Sequence, residues 1–237
     1  MNLRNLFRNY SPKQKRLIGY LKSKWGVSIR DISWYEQAVR HKSLIGSGKF
    51  CHTDCNERLE LLGDAVLDTV ITEHLFERFP SKDEGYLTKI RARIVNRQML
   101  GLIGSKAGLQ EVIEARIGSD DSMDKITGNA LEALIGAIYM DKGFKVAKDS
   151  LQKFFLNNYL DLDQVVAESQ DHKSALIEWV QQKKFKIQFD THEDPENEQL
   201  FTCKIYLNSE FVSSGTERSK KKAEQAASKQ AVKELNL

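Results

Sequence analysis

The sequence predicts a multidomain chain: an all-α domain over residues 1–162, a linker at 163–170, and a small α+β domain of order α-β-β-β-α over residues 171–237. Three observations carry that prediction. Apolar residues recur at helical spacing from Leu17 to Leu160, polarity then rises between Asp161 and Gln170, and beyond Asp171 three short β-branched and aromatic runs lie between two helical stretches. At 237 residues, each part is large enough to bury a core of its own.

Composition narrows the class without naming a partner. Hydrophobic residues at 41% and charged residues at 29% describe a globular protein, and no apolar run is long enough to suggest a membrane span. The net charge is only +3, so any polyanion must be met by local patches and not by bulk charge. Those patches exist. Met1 to Arg30 holds eight Lys or Arg and no acid, whereas Asp190 to Glu198 holds five acids and no Lys or Arg. The acid-free start imitates an organelle leader in composition, but the Lys-rich continuation from Lys13 to Lys24 reads as a solvated helix face or a phosphate-facing edge. Three cysteines are too few for a disulfide framework, which places the chain in a reducing cytoplasm.

Taken in order, the first element is helical at Leu17, Ile18 and Leu21, and a second segment runs from Trp34 to Ser43. His41 there invites a catalytic role, but a histidine bracing helices by hydrogen bonds is the favoured reading, and it is left out of the site. Gly46-Ser47-Gly48-Lys49 lacks the earlier glycine and the following Ser or Thr of a phosphate-binding loop, so it reads as a flexible loop. Cys51-His52-x-x-Cys55 has no second ligand pair nearby to complete a zinc site.

Asn56 to Ile71 forms the organising element. At roughly 100° per residue, Glu57, Glu60, Asp64 and Asp68 fall within an arc of about 80°, opposite Leu59, Leu62, Val66 and Val70. Leu61, Leu67 and Ile71 flank that arc, so the carboxylates point either to solvent as an acidic stripe or into a site where a hard divalent cation offsets their repulsion. Next, Pro80 precedes Ser81 and Glu84, which together read as a capping box at a helix start. Lys89, Arg93 and Arg97 follow at four-residue spacing, forming either a stripe for phosphates or ordinary solvated cations.

The second constellation runs from Gly128 to Asp141. Glu132 is the only charge between Ala130 and Ile138, in a helix apolar almost all round, and Asn129 shares its face. A lone carboxylate there needs an arginine partner or a metal ion. In the last domain, Ser219 is placed to cap the final helix, and Lys220, Lys221 and Lys222 add charge to an end whose dipole is already positive. An external polyanion explains that arrangement. Eleven Lys or Arg against eleven Asp or Glu from Asp171 onward makes this a patch reader and not a basic tail.

Glu57-Arg58-Leu59-Glu60-Leu61-Leu62-Gly63-Asp64 closely resembles the signature of the ribonuclease III family, endonucleases that cut double-stranded RNA. The stretch before it, with Ala38-Val39-Arg40-His41-Lys42-Ser43, and the later Asn129-Ala130-Leu131-Glu132 are similar to the family's other landmarks, and the final domain resembles a double-stranded RNA-binding domain. The resemblance implies Glu60, Asp64, Asn129 and Glu132 as metal ligands, Asp64 and Glu132 as catalytic with Glu57 and Glu84 in support, and Mg²⁺ as cofactor with Mn²⁺ as substitute. It further implies RNA contacts from Lys220, Lys221, Lys222, Ser174, Gln181 and Arg218, a homodimer, no membrane and no small-molecule cofactor. Cleavage to 5′-phosphate and 3′-hydroxyl ends with a short 3′ overhang follows, with ribosomal RNA precursors and other structured transcripts as substrates. Three departures stand out. Asn129 occupies a position commonly aspartate, Glu217 one usually glycine, and Asp194-Pro195-Glu196-Asn197 a loop that commonly reads glycine-proline-histidine. They imply weaker metal affinity and modest RNA affinity; an inactive RNA-binding scaffold is the alternative.

Overall fold

The computed structural model describes residues 10–45, 50–116, 122–169, 172–194 and 197–235. The chain divides into two compact units, Met1–Ser169 and Gln170–Leu237. The stretch 46–49 with its predicted loop, the first nine residues, Pro195 and Glu196 lie outside the described residues.

The first unit is helical among the described residues. Its helices are α1 (Pro12–Tyr20), α2 (Ile32–Ala38), α3 (Glu57–Arg78), α4 (Glu84–Ile94), α5 (Arg97–Lys106), α6 (Met123–Lys142), α7 (Phe144–Leu151) and α8 (Leu162–Ser169). α6 is the axis of the packing. Ile126, Ala130, Leu131, Ala133, Leu134, Ile135, Ala137 and Ile138 are all buried on it, as expected for a helix apolar nearly all round. α3 packs on one side of it and α5 on another. Both contacts are backbone-close because glycines sit at the crossings. A Cβ on Gly63 would overlap the Glu132 carbonyl, one on Gly136 would overlap the Leu59 carbonyl, and one on Gly101 would overlap the Asp124 carbonyl. Asp141, near the end of α6, accepts from the amides of Arg30 (2.9 Å) and Asp31 (2.8 Å) and from the Tyr35 hydroxyl (3.0 Å), which pins the start of α2 to the core.

Two predictions about this unit require correction. Asp83, not Ser81, caps α4: its carboxylate accepts from the Tyr86 amide at 2.8 Å, and Glu84 becomes the first helical residue. A carboxylate at the cap gains from the helix dipole, and Ser81 lies two residues too early to cap those amides. The stretch 163–170, expected as linker, is helical through Ser169. Asp161 caps α8 by accepting from the Gln164 amide (2.9 Å), and Val165 is buried beside residues of α4 and α5. Leu162, Val165 and Val166 recur at helical spacing, an apolar stripe masked by polar neighbours.

The second unit comprises α9 (His172–Lys183), β1 (Ile187–Asp194), β2 (Asn197–Leu207), β3 (Glu210–Glu217) and α10 (Lys220–Glu234). The strands form an antiparallel sheet in the order β1-β2-β3. Asn208 and Ser209 both adopt positive φ (49° and 73°), the backbone a tight β2–β3 hairpin demands. Leu176 and Val180 of α9, Cys203, Ile205 and Leu207 of β2, and Ala223, Ala227 and Ala231 of α10 make the core. The alanines let α10 lie close to the sheet; a Cβ on Gly215 would strike the Ala227 amide. β1, the first of the three β-branched and aromatic runs, extends through the acidic stretch to Asp194. Among the described residues, no helix is long and apolar enough to cross a membrane.

Candidate active site

The α3–α6 crossing builds the site. With Gly63 pressed on the Glu132 carbonyl and Gly136 against Leu59, the acidic face of α3 is held beside the turn of α6 that carries Asn129 and Glu132. Glu57, Glu60 and Asp64 from α3, and Gly128, Asn129 and Glu132 from α6, line one cleft of about 400 Å³ with Leu61, Val95, Arg97 and Leu100. Residues nearly seventy positions apart in the chain thereby share a few turns of surface.

Electrostatics follows from this geometry. The Glu132 carboxyl is pushed up to about 8, first by burial and then by the charges of Asp64 and Glu60. Glu60 is also raised, by burial and then by Glu57, while a hydrogen bond from Asn129 pulls the other way. Asparagine here relieves repulsion that an aspartate would add. Glu57 is lowered, mainly by a hydrogen bond from Lys42 (3.0 Å). Lys42 is a partner that sequence reading missed, because fifteen residues and a loop separate the two.

These donors fit a hard divalent cation. They are oxygen throughout, and a cation among them would offset the burial and the neighbouring charges that raise Glu132. Among the described residues, however, no three His, Cys, Asp or Glu side chains converge on one point at coordinating distance. The donors share a cleft without being closed upon a single centre.

Other predicted residues fall elsewhere. Glu84 is not in this cleft: its carboxylate accepts from the Thr88 hydroxyl (2.9 Å) and lines a second cavity with Thr72, Phe76, Lys82, Leu87 and Arg91. That cavity lies about two turns further along α3 than Asp64, roughly 12 Å of helix axis. Asp68, last of the acidic arc, is half-buried with one carboxylate oxygen lacking a hydrogen-bond partner, and it is raised by burial with Arg91 opposing. His41 is buried, and its Nδ1 accepts from the Ser43 amide at 3.2 Å, bracing the turn before α3. Cys51 donates to Asp54, and Cys55 to the His52 carbonyl, within one tight turn.

In the second unit, Ser219 caps α10 by accepting from the Lys222 amide (3.4 Å), and Lys220, Lys221, Lys222 and Arg218 are exposed around that end. Lys220 leans over the Phe201 ring, 5.6 Å from its centroid. Ser174 and Gln181 are exposed on α9, two turns apart on a helix tied to α10 by the Lys173–Glu224 ion pair (2.7 Å).

A family model described as Ribonuclease-III-like matches residues 31–159, and one described as Double-stranded RNA binding motif matches residues 172–235. Ribonuclease 3 of Zunongwangia profunda is 36% identical over 231 residues, covering 97% of this chain and 95% of its own. Ribonuclease 3 of Bacteroides fragilis is 36% identical over 213 residues, covering 89% of this chain and 73% of its own. The crystal structure of the nuclease domain of ribonuclease III from Campylobacter jejuni matches with a TM-score of 0.52 at 34% identity, over 60% of this chain and 95% of that one. With one family model over the helical unit, another over the α-β-β-β-α unit, and curated relatives at 36% identity over most of their own length, the chain belongs to the ribonuclease III family of double-strand-specific endoribonucleases.

Proposed function

We propose that the chain hydrolyses double-stranded RNA with Mg²⁺, for which Mn²⁺ substitutes, at the α3–α6 cleft. Nucleases of this family are generally metal-dependent. Glu60, Asp64, Asn129 and Glu132 would hold the ion. Bound there, Mg²⁺ supplies an acidified water and offsets charge building on the phosphate. The chain's own residues do the rest. Glu57, held by Lys42, borders the ligands, and Leu61 and Leu100 supply the apolar part of the cleft's lining. Glu84 is left out of this set because it faces another cavity.

The observation that carries the reading is the meeting of two acidic segments at a crossing only glycine permits. Attack by water on the phosphorus leaves a 5′-phosphate and a 3′-hydroxyl. Recognition would be of A-form shape, through Lys220, Lys221, Lys222, Arg218, Ser174 and Gln181, because the deep major groove of duplex RNA hides its base edges. We infer a homodimer as well. Leu61 and Phe76, at 75% and 70% exposure, leave apolar surface along α3 that a second copy would cover, and one relative's structure is described for its region involved in dimer formation. Each subunit would then cut one strand, leaving a short 3′ overhang. Three free cysteines suit a reducing cytoplasm.

Incubation with a long RNA duplex and Mg²⁺ tests the proposal. The parent is expected to produce short duplexes with 5′-phosphates, and Glu132→Ala to bind without cutting. Binding without cleavage by the parent would make the chain a scaffold.

A further inference from the structure

We propose that Arg97 positions the scissile phosphodiester, its guanidinium taking the non-bridging oxygens at the cleft that holds the acidic set. The inference rests on the reading of that cleft as the cleavage site. By spacing alone, Arg97 belongs with Lys89 and Arg93. The fold separates the three. Lys89 is exposed on α4, Arg93 lines a different cavity with Asn96, Gln98, Met99, Leu102 and Val165, and Arg97 lines the acidic cleft.

Its base is fixed and its tip is not. Arg97 opens α5, where Asn96 caps the helix by accepting from the Met99 amide (2.9 Å). A Cβ on Gly128 would come 3.4 Å from the Arg97 carbonyl, so the main chain of Arg97 is seated against the residue preceding Asn129, one turn from Glu132. The side chain is exposed, and among the described residues it enters no ion pair with the carboxylates around it. A cation in the first turn opposes the helix dipole, so the position is not explained by the stability of α5. A planar guanidinium offers two parallel donors matched to a phosphate's oxygens, which a carboxylate cannot do.

Charge points the same way. A cleft lined by Glu57, Glu60 and Asp64 repels a polyanion, and Arg97 is a cation at its edge whose main chain is held in place. Asparagine at position 129 removes one repelling charge, which leaves room for a phosphate to approach that guanidinium.

The competing role is a simple counter-charge for Glu132 and Glu60. The full-length chain distinguishes them through Arg97→Ala and Arg97→Lys. With saturating duplex and Mg²⁺, Arg97→Ala is expected to lose about a hundred-fold in kcat with KM changed far less, as for removal of one transition-state donor. Arg97→Lys should recover at most about a tenth of the loss, lacking the fork. Added guanidinium ion should rescue the alanine variant and not the parent. Duplex binding without divalent ion should show a salt dependence shallower by about one unit for Arg97→Ala. Mn²⁺ affinity, measured without RNA, should be unchanged or tighter. Near-parental kcat, an unaltered salt slope, or weakened Mn²⁺ binding would each overturn the assignment. If the parent itself fails to cleave, the cleft's function is wrong, and the salt slope still reads whether Arg97 meets phosphate.

Discussion

Glu132 carries a proton at neutral pH that an exposed glutamate would not, because burial and the charges of Asp64 and Glu60 disfavour its ionised form. The sign of its contribution to stability follows. Between the ordinary glutamate value and about 8, the folded chain binds a proton that the unfolded chain has released, so stability without metal falls as pH rises through that window and levels off above it. Urea unfolding with chelator at pH 5.5 and pH 8.5 should therefore show Glu132→Gln losing less stability with pH than the parent, and saturating Mg²⁺ should reduce the parent's loss. Equal pH dependence in parent and variant would contradict a raised carboxyl. Asp141 acts differently. It accepts three hydrogen bonds from Arg30, Asp31 and Tyr35, so Asp141→Ala strands two part-buried amides and a buried hydroxyl and should lower stability by about 2–4 kcal/mol in denaturant titration. Sequence reading marks Glu132 as a lone carboxylate in an apolar helix, but not which groups face it or that Asp141 holds the start of α2.

At the scale of helices, the α3–α6 crossing should be intolerant of a single methyl group. Gly63→Ala drives a Cβ into the Glu132 carbonyl, which must move the helices apart, with a loss of about 3 kcal/mol or more and a weaker grip on metal because Glu60 and Asp64 retreat from Glu132. Gly19 is the control. It lies within α1 with nothing near its virtual Cβ, so Gly19→Ala should stabilise by about 0.5–1 kcal/mol and leave cleavage untouched. Thermal melts of the two variants, moving in opposite directions, check the argument. The same scale explains the misplaced elements. Ser81 and Glu84 satisfy a capping pattern, but Asp83 is better placed and charged, and the polar run after Asp161 conceals the stripe of Leu162, Val165 and Val166 that folds α8 onto the first unit.

For the whole molecule, the proposed cleavage cleft lies in the first unit and the proposed lysine patch in the second. The second unit has balanced charge overall, and Arg218, Lys220, Lys221 and Lys222 form an exposed cluster where α10 begins. Replacing Lys220, Lys221 and Lys222 together with Gln should raise KM for a long duplex and flatten the salt dependence of binding by up to about three units, while kcat at saturation holds within a few-fold. Glu132→Ala should do the reverse. A triple variant that lost kcat without losing affinity would show that the lysines do not serve as an RNA-holding patch.

Local pattern was sufficient for much of this chain. The acidic arc of α3, the solitary charge between Ala130 and Ile138, the helix-to-strand change after Asp171 and the lysines behind Ser219 can all be read from spacing and composition, since amphipathic period and helix-end chemistry act over a few residues. Packing settled what spacing left open. Whether Glu132 met an arginine or other carboxylates, that Glu84 turned to a separate cavity, that Lys42 reached Glu57, and that Arg97 parted from Arg93 depend on which surfaces come into van der Waals contact. Helical period places a side chain on a face; only the approach of a second backbone, here through Gly63 and Gly136, decides what that face looks upon.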